Sequence, residues 1–432
     1  MKKIASYALG CKVNQYESEA IAELFAEKGY EVVSVDDEAD VYIINTCTVT
    51  NFGDKKSRQL IRKVKRQNEN AIVAVVGCYA QTAPEELAAV HGVNLVIGTK
   101  DKSKIVELVE DYQAEQGVQN YVTDIMHERV FEPLEIKKLA NRTRAYLKIQ
   151  DGCSQFCSYC IIPYARGPIR SRQPEDVIAE VKRLAENGFK EVVLTGIHVA
   201  SYGKDLKTIT LTDIIRQVHE VEGIERIRFS SIEPNVVTEE FAAAMAELPK
   251  VCDHFHLSLQ SGCDKTLKEM NRKYDTEKYR QAAALLRKYL PDVAITTDII
   301  VGFPGETEED YQASRAFAEE IGFSKIHVFP YSPKKGTPAA ARKDQLQNAV
   351  KQARSHDLIT VSDRMTDAFL QKHVGKVMPV LFERCVGDDV YEGHTTNYMK
   401  VHVRSAKDLS NVIADTKILS VAEEMAFGEV EA

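Results

Sequence analysis

Three cysteines in one short loop dominate the chemistry open to this chain: Cys153-Ser-Gln-Phe-Cys157-Ser-Tyr-Cys160. Thiolates at C-x3-C-x2-C spacing can hold three corners of an iron-sulfur cluster, and the loop offers no fourth, so one iron is left open to a ligand. The alternative is zinc, which in a structural site takes four protein ligands; no His or further Cys lies close by in sequence. Cys11, Cys47 and Cys78 are arranged differently. They follow Leu9-Gly10, Asn45-Thr46 and Val76-Gly77, each just past the carboxyl end of an expected strand. In an open parallel sheet those ends gather at one edge, the usual ligand crevice, so thiols 36 and 31 residues apart can meet as a second three-thiolate set. The alternative is three buried cysteines serving as small hydrophobes. Cys252, Cys263 and Cys385 fall in neither set and read as structural.

Positioning such side chains takes an alternation of strands and helices. Apolar runs at Ile4–Leu9, Val41–Asn45, Ile72–Val76 and Leu95–Ile97 alternate with helical patterns such as Glu17–Lys28 and Lys55–Arg66. They predict a parallel α/β domain, Rossmann-like or flavodoxin-like, over residues 1–110. A polar, poorly patterned stretch, 111–139, reads as a connector. Residues 140–371 carry six more strand candidates, Ala145–Ile149, Glu191–Leu194, Arg226–Phe229, His254–Leu259, Ile295–Val301 and Lys325–Phe329, with helical segments between them. Six β/α units suggest a TIM-type barrel or a partial (β/α)6 one, trailed by a helical stretch at Lys343–Gln371. Residues 372–432 show strand-like runs at Val377–Phe382 and Tyr398–Val403, the pattern of a small β-barrel of the OB-like size class.

The chain has 432 residues, about three times the ~150 expected of one domain, so two or three domains are expected. Hydrophobic residues make up 44% and charged ones 28%, with a formal net charge of −8, which excludes disordered and fibrous classes. No apolar run approaches the ~18 residues of a membrane span; the longest, Ala71–Gly77, has seven. Lys2 and Lys3 before a short apolar stretch imitate a secretory leader only faintly, because Lys12 interrupts it, so a mature cytoplasmic N-terminus is expected. Nine cysteines in a chain this long are too sparse for a disulfide scaffold and point to metal or catalysis.

The C-x3-C-x2-C loop at the start of a β/α barrel resembles the radical S-adenosylmethionine (SAM) superfamily. The strings Gly10-Cys11-Lys-Val-Asn14-Gln-Tyr-Glu-Ser-Glu19, Asn45-Thr46-Cys47-Thr-Val-Thr50 and Gly77-Cys78-Tyr-Ala-Gln81 resemble the three cysteine motifs of its methylthiotransferase subfamily. The resemblance covers essentially the whole chain. It implies an α/β N-terminal domain, a radical SAM barrel and a C-terminal TRAM domain. It also implies two 4Fe-4S clusters, on Cys11, Cys47 and Cys78 and on Cys153, Cys157 and Cys160, and an external electron donor. In that subfamily one SAM supplies a methyl group, accepted on sulfur held at the first set. A second SAM, bound to the open iron of the other set, is reduced to methionine and a 5′-deoxyadenosyl radical that removes an unactivated hydrogen.

In β/α barrels the chemistry gathers where strands end. By resemblance, Thr195 and Gly196 form a backbone edge near the methionine amine of SAM. Ser231, Glu233 and Gln260, also at strand ends, suit its ribose hydroxyls and carboxylate, the alternative being loop capping. In the string Thr297 to Thr307, glycines such as Gly302 permit close backbone approach to adenine. His198 reads as a hydrogen-bonding loop residue rather than a base, and the Phe329–Pro338 loop as a shaper of the mouth or simply a well-made loop.

The acidic chain does not advertise nucleic acid in bulk, but Lys55, Lys56, Arg58, Arg62, Lys63, Lys65 and Arg66 place seven cations in twelve residues after the Cys47 motif. Such a helix would attract RNA phosphates in a salt-dependent way, the alternative being a solvated face. Arg142, Arg144, Arg166, Arg170 and Arg172 would extend that surface. From His373 onward six Lys or Arg face ten Asp or Glu, so a TRAM domain here would hold RNA through local residues such as Arg384, Lys400 and Arg404, with stacking from Tyr398. The motifs resemble most the branch acting on N6-threonylcarbamoyladenosine next to the anticodon of tRNA. The rival expectations are the isopentenyladenosine branch, modification of a ribosomal-protein aspartate, and a non-enzymatic iron-sulfur carrier docking on RNA.

Overall fold

The computed structural model describes residues 1–136 and 143–431; Arg142 and the end of the expected connector lie outside the described residues. Six parallel strands form the N-terminal sheet: β1 (Lys3–Ala8), β2 (Glu31–Val32), β3 (Val41–Thr46), β4 (Ile72–Gly77), β5 (Leu95–Val96) and β6 (Gln119–Asn120), in the order β2-β1-β3-β4-β5-β6. This is the doubly wound, flavodoxin-like arrangement, and β3 at its centre is buried along its whole length. Strands β2 and β6 have two residues each, too few to leave a period-2 pattern. β6 falls in the stretch expected to be only a connector, and Leu134 and Ile136 of that stretch enter the core of the next layer.

The second layer is a partial barrel of β7 (Arg144–Asp151), β9 (Glu191–Gly196), β10 (Arg226–Phe229), β11 (His254–His256), β12 (Ala294–Val301) and β13 (Lys325–Pro330), with the two-residue β8 (Arg170–Ser171) antiparallel beside β7. The parallel ladders β7-β9-β10 and β11-β12-β13 are joined by single bridges, Ile227 to Val251 and Ile232 to Leu257. Among the described residues nothing pairs β7 with β13, so the barrel is open along that seam. β11 stops at His256 rather than Leu259, and by Gln260 the backbone is left-handed (φ 71°). The trailing helix spans Asn348–Gln371 and packs on β13.

The third layer is a closed five-stranded barrel: β14 (Val377–Gly387), β15 (Val390–Thr395), β16 (Lys400–Arg404), β17 (Ile413–Ala422) and β18 (Met425–Val430), closing in the order β14-β15-β16-β18-β17 around Val380, Phe382, Val401 and Ile418. Three of these strands leave no continuous apolar signal because half their residues face water. The small barrel sits under the amino-terminal ends of the large barrel's strands. Arg226 donates to His394 O and Pro379 O (both 2.8 Å), and Arg228 to Thr395 O and Thr396 O (both 2.7 Å). Glu191 lies buried among Arg228, Arg144 and Arg226. Burial alone would raise its carboxyl pKa; the three guanidiniums outweigh it and hold it at about 2.

Candidate active site

The carboxyl ends of the N-terminal sheet face the carboxyl mouth of the partial barrel. A cavity of about 560 Å³ lies between them, and all six cysteines of the two sets line it. On the sheet side, Gly10 has φ +94°, and a Cβ there would lie 2.6 Å from Cys47 Sγ, so only glycine lets β1 turn in beside that thiol. Cys11 then caps the helix Lys12–Glu27, and Cys78 opens the short helix Cys78–Thr82. On the barrel side the loop is pinned at both ends. Cys153 N–H donates to Gly167 O (2.9 Å), Ser158 bonds Met270 O and Glu269 O (3.0 and 2.8 Å), and Asn271 holds Phe156 O (2.8 Å). Gly152, just before Cys153, has φ +72° and abuts Pro168 O, where a Cβ would stand 1.9 Å away.

Each set has one arginine on a sulfur. Arg166 Nε donates to Cys78 Sγ and Arg272 Nη1 to Cys157 Sγ, both at 3.2 Å. Arg166 is fully buried and forks onto Glu17 (2.6 and 3.1 Å) and Asn14 (2.6 Å), residues of the first cysteine motif. Lys102 and Lys148 also reach Glu17 (2.8 and 2.7 Å), and Lys148, Arg166 and Arg170 surround Asp151. Burial would raise the Glu17 pKa; Arg166, Lys102 and Lys148 outweigh it and hold the carboxyl well below its usual range. Four cations thus face two carboxylates where the sheet meets the barrel, with Cys78 Sγ beside them. Arg144, Arg166, Arg170 and Arg172, expected to extend an exposed basic surface, are instead largely buried in such ion pairs.

Loss of hydration pushes the Cys47 and Cys160 thiols up to about 12 and Cys153 to about 11. Thiols so shifted are poor free nucleophiles and ionise only when a metal replaces the proton. A single zinc at 2.3 Å from each sulfur needs sulfurs about 3.8 Å apart. Among the described residues, the trio of ligand atoms lying within 4.8 Å of one another is His256, Asp298 and His327, and neither cysteine set is that tight. Wider sulfur spacing, three thiolates per set and an arginine N–H on each set fit an iron-sulfur cube at each position.

Thr195, Gly196, Ser231 and Glu233 line the cavity, joined by Ser230, Ser258, Asp298 and His198. Glu233 is held by Gln155 (3.2 Å), His198 Nε2 (3.2 Å) and Arg272 (2.8 Å); burial would raise its pKa, and these partners lower it on balance. Gln260 and Gly302 stand outside the lining. Gln260 bridges Ile299 through its backbone, and Gly302 (φ +73°) abuts Lys351 of the trailing helix, where a Cβ would lie 2.4 Å from Cγ. Arg272 lines the cavity although no motif singled it out, because an isolated cation in a loop gives no periodic or spacing signal; Lys12, inside the first cysteine motif, lines it too without having been assigned a role. The Phe329–Pro338 loop docks on the N-terminal domain through an ion pair of buried Lys334 with Asp54 and a hydrogen bond from Asn51 to Pro333 O (3.1 Å).

The seven cations lie on the helix Asn51–Gln67 beside this mouth. Arg58 pairs with Glu86 (2.9 Å), Lys63 with Asp36, and Lys65 donates to Ala71 O (2.9 Å). Lys55, Lys56, Arg62 and Arg66 are exposed and, among the described residues, have no carboxylate partner. Tyr398 is not free to stack a base: its ring stacks on His254 and His394 (4.9 and 4.8 Å) with the guanidiniums of Arg228 and Arg144 at 4.7 and 5.2 Å.

The family model described as the Radical SAM superfamily matches residues 147–318, and that described as Uncharacterized protein family UPF0004 matches residues 3–98. The match to curated relatives runs further. The threonylcarbamoyladenosine tRNA methylthiotransferase MtaB of Bacillus subtilis (strain 168) is 45% identical over 424 residues, 97% of this chain and 94% of that protein. Its namesake of Aquifex aeolicus (strain VF5) is 41% identical, covering 88% and 92%. The tRNA-2-methylthio-N(6)-dimethylallyladenosine synthase of Thermoanaerobacter sp. (strain X514) is 37% identical, covering 98% and 91%. The chain belongs to the methylthiotransferase family of the radical SAM superfamily. Among solved structures, the radical SAM methyltransferase TsrM from Kitasatospora setae shares the fold, with a TM-score of 0.56 at 17% identity over 79% of this chain and 77% of that one.

Proposed function

We propose that this chain converts N6-threonylcarbamoyladenosine, next to the anticodon of tRNA, to its 2-methylthio derivative, with Cys153, Cys157 and Cys160 holding one 4Fe-4S cluster and Cys11, Cys47 and Cys78 the other. The observation that carries the reading is the shared cavity: two three-cysteine sets from different domains open onto the same 560 Å³. A carrier that merely docks on RNA has no need for that convergence, nor for polar strand-end residues around it. When bound, the clusters supply the one-electron cleavage of SAM at the barrel set and a sulfur acceptor at the sheet set. The protein's own groups position and exclude. Thr195, Gly196, Ser231 and Glu233 offer hydroxyl, backbone and carboxylate partners for the polar groups of SAM. The network around Glu17 and Arg166 fixes the distance between the two sets, and the Lys334–Asp54 pair ties the Phe329–Pro338 loop to the N-terminal domain. Lys55, Lys56, Arg62 and Arg66 attract the anticodon stem.

The division that goes with this reading assigns residues 1–110 to the sulfur-bearing domain, 111–139 to a connector, 140–371 to the radical barrel and 372–432 to the TRAM domain. An electron donor outside this chain is required, and a tRNA substrate places the work in the cytoplasm. No helix among the described residues is long and apolar enough to cross a membrane. The second reading, methylthiolation of N6-isopentenyladenosine, is favoured by relatives of that name at 36–37% identity. Mass spectrometry of tRNA nucleosides from a strain lacking this gene, before and after its restoration, separates them. Loss and return of 2-methylthio-N6-threonylcarbamoyladenosine is expected. If the isopentenyl nucleoside loses its methylthio group instead, the branch is wrong; no change in either overturns the tRNA reading and leaves modification of a ribosomal-protein aspartate or the carrier.

A further inference from the structure

A second cavity, of about 700 Å³, occupies the barrel lumen above the small barrel, and Lys12, Ser230, Ser231 and Asp298 line both it and the cysteine cavity. Its charge is one-sided: Lys12, Arg144, Arg228, Lys325 and Lys400 against Asp298 and Glu424. The ion pairs decide which cation is available. Arg144 and Arg228 are committed to Glu191, Lys325 to Glu424 and Asp363, and Lys400 to Glu392. Lys12 alone of the five has no carboxylate within ion-pair distance among the described residues; its ammonium stands 6.0 Å over the Tyr146 ring. Lys12 is exposed at the wall shared by the two cavities, so its unpaired ammonium is open to an anion entering from either.

On the reading proposed above, the substrate brings one. Threonine joined to the carbamoyl group through its amine keeps a free carboxylate. Adenine C2 and the exocyclic N6 are carried by ring atoms separated only by N1, so a base with C2 turned to the cysteines projects its N6 chain toward the adjoining cavity. We propose that Lys12 binds the threonyl carboxylate of the substrate and, in this cationic lumen, makes the chain select N6-threonylcarbamoyladenosine over N6-isopentenyladenosine. The isopentenyl tail is apolar. Seated here it would desolvate Lys12 and its neighbours with nothing in return, the kind of mismatch that polar sites reject most strongly. Because Lys12 follows Cys11 directly, a carboxylate held there also fixes the base close to the sheet set.

The test presents the two-cluster enzyme with anticodon stem-loops carrying N6-threonylcarbamoyladenosine, its carboxamide analogue or N6-isopentenyladenosine, and measures KM, kcat and, by fluorescence anisotropy, Kd. The amide is expected to raise KM and Kd about 10- to 100-fold, the range for one charged hydrogen bond, with kcat little changed. Lys12→Met should erase the preference for acid over amide and Lys12→Arg should keep it. Equal handling of acid and amide by the native chain overturns the proposal and leaves the methylthiotransferase reading standing, as does a full preference retained by Lys12→Met. If Lys12→Met fails to hold iron, the native acid-to-amide ratio decides alone. Turnover of the isopentenyl stem-loop with none of the threonylcarbamoyl one removes the substrate reading and this proposal with it.

Discussion

The two cysteine sets reach the same cavity by opposite routes. Cys153, Cys157 and Cys160 occupy eight residues of one loop, so their convergence is written in the spacing, and the barrel has only to pin the loop's ends. Cys11, Cys47 and Cys78 span 68 residues and meet only because β1, β3 and β4 are parallel neighbours whose carboxyl ends align. The loop set is local and the sheet set is topological. Their arginines differ in the same way. Arg272 is tied within the barrel to Glu233 and Tyr274, whereas Arg166 comes from the barrel and serves a thiol of the other domain through a buried network. The sheet set therefore depends on the interface between domains, and the loop set does not.

The sharpest way to break this comparison is to remove one thiol from each set. Cys157→Ala is expected to abolish reductive SAM cleavage, by more than about 1,000-fold, as removing a central catalytic group does. Cys47→Ala should leave SAM cleavage while eliminating the methylthio product, and each variant should keep about half the native iron. Iron analysis with detection of 5′-deoxyadenosine checks both. Loss of SAM cleavage in Cys47→Ala at half iron would show that the sets are not independent.

Next in size are the arginines. Arg166→Met strips Glu17 of its bidentate partner in a buried site, a change of about 3–5 kcal/mol. It should lower the melting temperature and empty the sheet set first. Arg272→Met should leave iron in both sets and move the potential of the loop-set cluster to more negative values, because a hydrogen bond to sulfur favours the reduced state. Calorimetry and an EPR-monitored redox titration read the two effects; equal iron loss in both variants would deny the interface its special role. Smaller, at about 1–3 kcal/mol of backbone strain, are the glycines. Gly10→Ala should deplete the sheet set through the clash with Cys47, and Gly152→Ala the loop set through the clash with Pro168 O.

What the sequence made legible follows the same division. The loop set needed only spacing, and β3 and β4, which lead to Cys47 and Cys78, stand out as apolar runs because they are buried on both faces. The sheet set needed the further inference that the strands are parallel. What stayed illegible is what depends on long-range pairing. Arg166 reads as one of several basic residues flanking a strand, yet its environment is made by Glu17, 149 positions away. Tyr398 reads as a stacking residue for RNA, and the packing of the small barrel under the large one gives its ring to His254 and His394 instead. Gln260 and Gly302 match strand ends in position but stand outside the cavity lining, Gly302 against Lys351 of the trailing helix, which a one-dimensional pattern does not record.

The smallest effect concerns RNA, which the comparison assigns to the sheet half because the unpaired cations lie on its helix. Replacing Lys55, Lys56, Arg62 and Arg66 together by Gln leaves the buried face of Asn51–Gln67, which rests on Ile61 and Val64, untouched. Each phosphate that goes unneutralised should flatten the dependence of log affinity on log salt by about 0.7 for a single-stranded loop and about 0.9 for a stem. The effect on stem-loop Kd should be several-fold at low salt and nearly vanish at high salt, where screening has already removed the attraction. Substituting Arg58 and Lys63, whose charges are spent on Glu86 and Asp36, should change the slope much less. SAM cleavage without RNA reports on the barrel half alone and should stay constant across these variants. A salt slope that ignored the four exposed cations and followed the internally paired ones would move the RNA path off this helix.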